Sequence, residues 1–251
     1  MKNKYYLILV VLVVWACSPD PFIDCFSQDG STEVRFFEID AFEKIIIRKD
    51  IELRITYAEM QRLSVEARAN IINGIELNLT DNELEIVGKE LCPSGSENAP
   101  YIVHLETPNL KEIRNSSQYK VISENTLVFD TLRLDSENYN DETALANGDF
   151  ELDLDLEQLI IVHAGLSDFT LTGHTNRFNL GFYSGSGRIF AQGLQANQIG
   201  IYHRGFGDVH VFPLNLISGE LRSTGNLILY NQPTTENLET FFTGEILYNI
   251  D

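Results

Sequence analysis

Apolar and polar residues alternate along most of the chain, and from residue 144 onward the alternation repeats at a regular spacing. Six short turns occur there, each ending in a polar residue. These residues are Asp149, Asp168, Arg188, Asp208, Asn226 and Glu245, and successive ones are 19, 20, 20, 18 and 19 positions apart. A self-similar period of about 20 residues is typical of solenoids, in which each repeat is one supersecondary unit stacked on its neighbours.

Two apolar positions follow every turn, separated by one residue. The first is Phe150, Phe169, Ile189, Val209, Leu227 and Ile246; the second is Leu152, Leu171, Ala191, Val211, Leu229 and Tyr248. Because alternate residues of a strand share a face, both sets are predicted to point into one core. One repeat has too little apolar material to be stable alone, so we predict an all-β fold whose repeats stack as a parallel β-helix.

Glycine precedes the polar position in five of the six turns. The five are Gly148, Gly187, Gly207, Gly225 and Gly244, and Ser167 occupies the remaining place. Glycine readily adopts the positive φ that a tight reversal requires, and we predict this role for the five. On neighbouring strands the polar side chains would lie about 4.8 Å apart. Arg188, between Asp168 and Asp208, therefore predicts an ionic ladder that offsets the repulsion between carboxylates.

The turns also carry a family resemblance. Residues 184–189 (SGSGRI) and 204–209 (RGFGDV) resemble the "GSGD-I" turns of the auto-transporter adhesin head domain (head GIN domain) family. Residues 36–45 and 225–233 resemble its opening and its last turn, so the likeness covers roughly residues 34–233. The resemblance implies a right-handed β-helix, no established catalytic residues, an adhesive role, and secretion or lipid anchoring in Bacteroidetes-type bacteria. Ser167 and Arg188 depart from the turn pattern, which argues against an invariant ligand there.

Residues 33–120 are rich in strand patterns but less regular than the six repeats. We expect them to form the first, longer coils of the helix or a β-layer that covers its end, since an uncovered end exposes unpaired strand edges. The predicted organisation is a signal peptide over 1–16, a lipidated tether over 17–32 and one β-helix domain over 33–251, with regular coils from 144 to 251.

The first sixteen residues have the basic start and short apolar run of a signal peptide, and the run is too short to span a bilayer comfortably. Residues 13–17 (VVWAC) resemble a bacterial lipobox, although Trp15 is unusual in one. The resemblance implies that Cys17 is acylated and begins the mature protein. The other interpretation is an ordinary secretory signal with an incidental cysteine. With Cys17 lipidated, Cys25 and Cys92 remain as a pair in an oxidising compartment, either bridged or free.

The excess of acidic over basic residues limits which binding partners are expected. The chain has 37 acidic and 18 basic residues and a formal net charge of −19 at pH 7. Nucleic acid is excluded as an expected partner because its affinity for proteins comes largely from Lys and Arg on phosphates. Electrostatic docking on an anionic bilayer is disfavoured for the same reason. Membrane attachment is therefore expected through the lipid anchor.

Metal binding has two sequence candidates. Gly-x-Gly-x-Asp turns bind Ca²⁺ in β-rolls, but about nine residues separate those repeats. Here Arg188 interrupts the series, and Ca²⁺ normally needs about six to eight oxygen ligands. His163 and His203 each lie five residues before a polar turn position, and Tyr183 has the same place in the repeat between them. The two imidazoles would therefore be about 9.6 Å apart, too far to share one metal. We expect no metal and no cofactor.

Catalysis finds little support in the sequence. Many β-helices cleave polysaccharides with convergent carboxylates, but nothing distinguishes Asp153 and Asp155 from an exposed strand face. Residues 185–187 (GSG) are not a phosphate loop, because no Lys-Ser/Thr and no helix follow. Phe182, Tyr183 and Tyr202 fall close together on successive repeats. They would bind sugar rings if they faced outward, or pack the core if they faced inward, and the sequence does not show which parity is exposed.

We therefore expect a non-catalytic, extracytoplasmic lipoprotein that is attached to a bacterial membrane, and we expect this to be the outer membrane. Its function would be adhesion or binding of a glycan or surface protein through a β-helix surface. The alternative is a polysaccharide-cleaving enzyme on the same scaffold. A third interpretation is a structural envelope protein that forms homo-oligomers or assembles with a neighbouring lipoprotein.

Overall fold

The computed structural model describes residues 31–89, 100–139 and 143–250. Within these residues the chain forms seventeen strands and one short 3-10 helix at Ile72–Gly74. The strands are β1 (Thr32–Phe37), β2 (Lys44–Lys49), β3 (Ile51–Tyr57), β4 (Arg62–Arg68), β5 (Ile75–Thr80), β6 (Glu83–Gly88), β7 (Tyr101–Thr107), β8 (Glu112–Ser117), β9 (Val121–Ser123), β10 (Leu127–Ser136), β11 (Phe150–Gly165), β12 (Phe169–Gly185), β13 (Ile189–His203), β14 (Val209–Leu221), β15 (Leu227–Leu229), β16 (Thr235–Thr240) and β17 (Ile246–Tyr248). The predicted all-β class is confirmed.

The regular repeats lie one on another as parallel strands. β11 pairs with β12, β12 with β13 and β13 with β14, and the shorter β15 and β17 continue the series. The first predicted apolar column forms one register row, which runs Phe150, Phe169, Ile189, Val209, Leu227 and Ile246. The first five members are at most 1% exposed. The row predicted from the turn spacing is therefore present in the core.

The second apolar column is buried as far as the fifth repeat. Leu152, Leu171, Ala191, Val211 and Leu229 are at most 3% exposed, whereas Tyr248 in the last repeat is 49% exposed. Tyr248 lies on β17, which pairs with β15 and has no further strand beyond it among the described residues. The burial thus ends because the stack ends, and the last repeat is a partial one.

The N-terminal part both extends the stack and closes it. β2 pairs in parallel with β6 and β8, and β3 pairs in parallel with β7 and β9. β8 and β9 in turn pair in parallel with β10 and β11, which joins this part to the regular repeats. Antiparallel pairs β1–β4, β4–β7 and β5–β6 lie at the far end. This part therefore continues the parallel pairing of the regular repeats and adds antiparallel pairs at its far end.

The turn glycines have a different role from the one predicted. Among the described glycines, positive φ occurs at Gly173, Gly185 and Gly219, and none of these is a turn-column glycine. A Cβ built on Gly207 would instead fall inside the carbonyl group of Gly187 in the repeat below. The other turn-column glycines would likewise meet backbone oxygen of the preceding strand. Close approach of backbones, and not positive φ, therefore requires glycine in this column.

Asparagine side chains form a ladder at another corner of the repeats. Asn215 donates to Asn197 (3.2 Å), Asn197 donates to Asn176 (3.1 Å), and Asn176 donates to Glu157 (2.8 Å). Each side-chain amide both donates and accepts, so stacked asparagines bond in series.

None of the helices in the described ranges is long and apolar enough to cross a membrane.

Candidate functional site

The polar turn residues bond to the backbone of the next repeat. The N–H of Asp168 donates to Oδ1 of Asp149 (2.9 Å), and the N–H of Arg188 donates to Oδ1 of Asp168 (2.8 Å). Further along, the N–H of Asn226 donates to Asp208 (2.9 Å) and the N–H of Glu245 donates to Asn226 (3.0 Å). A short side chain with an acceptor oxygen is what this position requires, which explains the preference for Asp and Asn.

Arg188 interrupts this series because its side chain has no acceptor to offer the N–H of Asp208. Its guanidinium instead donates to Oδ2 of Asp168 (2.6 Å) and lies 5.0 Å from the ring centroid of Phe190. The hydrogen bond that Arg188 donates to Asp168 raises the pKa of Arg188, with smaller electrostatic contributions from Asp149 and Asp208. The expected ladder therefore has one direct ion pair, with Asp168.

The turn carboxylates do not assemble a metal site in the described ranges. No group of three or more His, Cys, Asp or Glu side chains there has the geometry to hold a metal ion. Oδ1 of Asp149, Asp168 and Asp208 accepts from a backbone N–H of a following repeat, and Oδ2 of Asp168 accepts from Arg188. The turn column is accordingly a structural feature of the stack.

His163 and His203 do share a column, but Phe182 and not Tyr183 lies between them. A β-bulge causes the difference: His163 pairs with Phe182 while Ala164 pairs with Ser184, so Tyr183 is passed over in the register. The Phe182 ring centroid lies 4.6 Å from that of His163 and 5.0 Å from that of His203. All three residues are fully buried, which makes this an internal aromatic row.

Burial keeps both of these histidines neutral. Desolvation lowers the pKa of His163 to about 4 and that of His203 to about 4. None of their four ring nitrogens has a well-formed hydrogen bond to the described residues. Their Nε2 atoms face the turn glycines, since a Cβ on Gly187 would lie 2.6 Å from His163 and one on Gly225 would lie 2.7 Å from His203. The histidines therefore belong to the packed core.

A shallow groove of about 380 Å³ crosses the outer face of four neighbouring strands, β10 to β13. Its outward-facing lining is Arg133, Ile160, Val162, Asn179, Gly181, Tyr183, Gly200 and Tyr202. Two register rows build it: one runs Arg133, Ile160, Asn179 and Gly200, and the other includes Val162, Gly181 and Tyr202. We call this feature the tyrosine groove. The groove shows which alternate strand positions are exposed: Tyr183 and Tyr202 face outward, and Phe182 faces the core.

Gly181 is the point on which the two tyrosines converge. The register sets Tyr202 directly opposite Gly181, and a Cβ on Gly181 would lie 2.6 Å from the ring of Tyr183. The Tyr183 ring thus folds back along its own strand and covers the glycine. The two ring centroids are 5.5 Å apart, with the planes inclined at 39°. Bulges often re-aim a side chain next to a binding site, and the bulge at Tyr183 has this position here.

Three polar groups of the tyrosine groove have no partner among the described residues, and the fourth is paired. The Asn179 amide and the Tyr183 and Tyr202 hydroxyls have no hydrogen-bond partner within the part of the chain that the structure describes. Arg133 is the one charged side chain among the lining residues, and its Nε lies 2.9 Å from the carboxylate of Asp135. Asp135 is itself fully buried, and Arg114 also contacts it, at 3.3 Å.

The carboxylates considered for catalysis are not arranged as a pair. Asp153 accepts from the hydroxyls of Thr126 (2.5 Å) and Thr172 (3.0 Å), beside a hollow of about 230 Å³. Asp155 has a side chain 60% exposed, and Nδ1 of His174 lies 3.9 Å from it. Asp153 is thus held by threonines, and Asp155 is a solvated strand residue.

Three of the predicted site residues lie outside the described residues. These are Cys17, the predicted lipidation site, and the candidate disulfide pair Cys25 and Cys92. The predicted signal peptide and most of the predicted tether lie there as well.

The sequence profile described as "Putative auto-transporter adhesin, head GIN domain" matches residues 41–233. The chain belongs to this family. The resemblance seen in the turns is therefore confirmed over most of the chain's length. A comparison with curated proteins found no match.

Solved structures agree with this assignment at the level of the fold. A "putative adhesin" from Bacteroides fragilis is 21% identical and superposes with a TM-score of 0.75, covering 87% of this chain and 97% of its own. A "putative adhesin" from Parabacteroides merdae is 16% identical, with a TM-score of 0.57, covering 88% and 97%. A "putative lipid binding protein" from Parabacteroides distasonis is 16% identical, with a TM-score of 0.62, covering 88% and 97%.

Sequence reasoning missed most of the tyrosine groove. The turn pattern does not point to four of its residues, which are Asn179, Gly181, Gly200 and Arg133. One sequence signal for the groove is nevertheless present. Gly-x-Tyr occurs in two adjacent repeats, at residues 181–183 and 200–202. Counting back from the turns aligns Tyr183 with His203, whereas the bulge puts Phe182 in that place and Tyr202 lies opposite Gly181.

Proposed function

We propose that this chain is a non-catalytic adhesion module of the bacterial cell envelope, which presents a β-helix surface to a glycan or a protein on another surface. The observation that carries the proposal is membership of an adhesin-head family over residues 41–233. The site geometry supports it, because the turn residues are used for stacking while the outer strand face keeps an aromatic groove with free polar groups.

The architecture that fits this role is a right-handed parallel β-helix with one domain over residues 33–251. In-register parallel pairing from β11 to β17 supports the helical winding of the regular part, residues 144–251. Each added repeat extends the outer faces by one strand, so such a body holds a surface away from its point of attachment. A single elongated domain is therefore suited to presentation.

Attachment is proposed through Cys17. Cleavage after residue 16 and acylation of this cysteine would leave residues 17–32 as an extended tether, with Ser18, Pro19, Asp20 and Pro21 at its start. Several acyl chains hold a protein on a bilayer far more firmly than one does. The location that follows is extracytoplasmic, on the outer membrane. A disulfide between Cys25 and Cys92 would tie the tether to the domain.

A direct adhesion assay tests the function. Beads coated with purified protein are counted on plates bearing mucin, bacterial polysaccharide or extracellular-matrix protein, against beads coated with the heat-unfolded chain. Retention of folded-protein beads on at least one surface is expected. The same preparation is incubated with pectin-like polymers and assayed for new reducing ends. Polymer turnover would favour the polysaccharide-cleaving alternative, and equal retention of folded and unfolded protein would refute adhesion.

Self-association is a separate part of the proposal. Phe241 and Phe242 directly follow the edge strand β16, and Leu247 lies on the edge strand β17; the three are 41–65% exposed. Unpaired edges with exposed apolar side chains favour pairing with a second chain. Sedimentation velocity at two concentrations distinguishes a monomer from a homo-oligomer, since an oligomer sediments faster at the higher concentration.

A further inference from the structure

We infer that the tyrosine groove is a binding site for an uncharged saccharide, with a sugar ring stacked on the inclined rings of Tyr183 and Tyr202. The inference rests on the proposed function, because it names the ligand class of the binding module. It is carried by the shape of the groove, its hydrogen-bonding groups and its charge.

The floor of the groove is made flat by small residues. Gly181 and Gly200 leave no side chain between the strands, so the Tyr183 ring lies down over Gly181 instead of standing out from the sheet. Tyr183 remains 40% exposed in this position. A pyranose ring has an apolar face of C–H groups, which packs against the π-face of an aromatic ring. Two rings inclined at 39° form a shallow trough for such a ring.

The rim of the groove provides the polar partners that a sugar requires. The Asn179 amide supplies two donors and an acceptor, and each tyrosine hydroxyl both donates and accepts. These groups flank the aromatic floor on the same strand face. Ligand sites generally combine an apolar surface with a few placed polar groups, and ring hydroxyls around an apolar sugar face match that arrangement. An acyl chain would leave these polar groups unpaired, at a cost in affinity.

Charge selects the uncharged members of this class. The formal net charge of the chain is −19, so an acidic saccharide is repelled at long range. A cationic ligand finds no carboxylate among the lining residues: Asp135 is buried against Arg133 and Arg114, and Glu220, opposite Tyr202 on β14, is paired with Arg222. The volume of about 380 Å³ lies within the range of small-molecule pockets, which is about 300–1,000 Å³.

Calorimetric titration tests the inference. Protein purified from cells expressing the full chain is titrated with cellohexaose, mannohexaose, chitohexaose and the acidic hexagalacturonate, and is mixed separately with phosphatidylcholine vesicles. At least one uncharged oligosaccharide is expected to bind. Tyr183→Ala and Tyr202→Ala should each weaken that binding by at least about tenfold, as expected for loss of an aromatic platform. Gly181→Ala should weaken it too, because the new Cβ lifts the Tyr183 ring while keeping both tyrosines.

Tyr230→Ala is the matched control, since Tyr230 is a partly buried tyrosine hydrogen-bonded to His210, away from the groove. It should bind with wild-type affinity, and circular dichroism should show all four variants folded. Absence of binding by every uncharged oligosaccharide overturns the inference. Binding of hexagalacturonate or vesicles alone overturns it as well, as does binding that survives Tyr183→Ala and Tyr202→Ala. The bead assay separates the two proposals: beads retained equally by wild type and Tyr183→Ala leave adhesion standing and remove the tyrosine groove as its site.

Discussion

The buried histidines predict a loss of stability in mild acid that can be calculated from their environment. A histidine whose pKa is lowered on folding binds a proton more readily in the unfolded chain. Its contribution to stability is therefore complete above the unfolded pKa of about 6.5 and is lost as the pH falls through the folded pKa of about 4. For His163 at pH 5, the proton linkage amounts to about 2 kcal/mol, and the same holds for His203. Total stabilities of domains are only about 5–15 kcal/mol, so the effect is measurable.

The experiment compares leucine variants with the wild type. His163→Leu and His203→Leu keep an apolar side chain of similar size at the buried position and remove the titrating group. The free energy of unfolding is measured by urea denaturation at pH 7.5 and pH 5. Each variant should lose about 2 kcal/mol less than wild type over this interval, and the double variant about 4 kcal/mol less. Protonation of carboxylates changes both proteins alike and cancels in the comparison.

His174→Leu serves as the control, because His174 is 48% exposed at its side chain and lies outside the core. It removes an imidazole without touching the internal aromatic row. If His163→Leu and wild type lost the same stability between pH 7.5 and pH 5, the buried neutral state assigned to His163 would be refuted. The same result for His203→Leu would refute it for the second residue.

Three further predictions concern the turns and the anchor. Gly207→Ala should lower the free energy of unfolding by about 2–3 kcal/mol, because the Cβ meets the Gly187 carbonyl. Gly193→Ala meets only a Thr172 methyl, at 3.0 Å, and should cost less than about 1 kcal/mol; equal costs in urea denaturation would contradict the close-approach explanation. Arg188→Asp should lower the melting temperature more in about 10 mM than in about 500 mM NaCl, since salt screens exposed charges, and an equal loss at both would dismiss the ionic contribution. Cys17→Ala should abolish incorporation of labelled palmitate and release the chain from membranes, and retained label would exclude Cys17 as the anchor.

The sequence predicted the internal rows well because two local signals agree there. Strand alternation sets which residues share a face, and the turn spacing sets which residues lie above one another. Phe150, Phe169 and Ile189 follow directly from these two signals and pair as expected. The predicted alignment becomes less accurate with distance from the turn. Counting five residues back from the turn position predicts that Tyr183 lies beside His163, but the bulge shifts the register so that Phe182 lies there instead. A bulge depends on contacts between strands, which a single repeat does not display.

The turn glycines show a correct selection made for an incorrect reason. The recurrence of glycine at this position predicts a local need for positive φ, but the observed constraint is the carbonyl group of the strand below. That constraint exists only after the repeats have stacked, so no property of one turn reveals it. The same point applies to the polar column, where Asp208 accepts a hydrogen bond from the backbone N–H of Asn226 in the next repeat. Arg188 is tolerated there because the stack has four such bonds around it and needs no particular one.

These two errors point to the same place on the molecule. Residues at the regular repeat positions stabilise the stacking of one strand on the next, since their side chains either fill the core or bond to the backbone of the next repeat. A surface able to recognise a ligand must come from residues that the stack does not require. Tyr183 lies where the register skips a residue, and it rests on Gly181, which is neither a turn glycine nor at positive φ. Local departures from a consistent pattern are expected at functional sites. The departure at Tyr183 is therefore an argument for the tyrosine groove that does not depend on its aromatic composition.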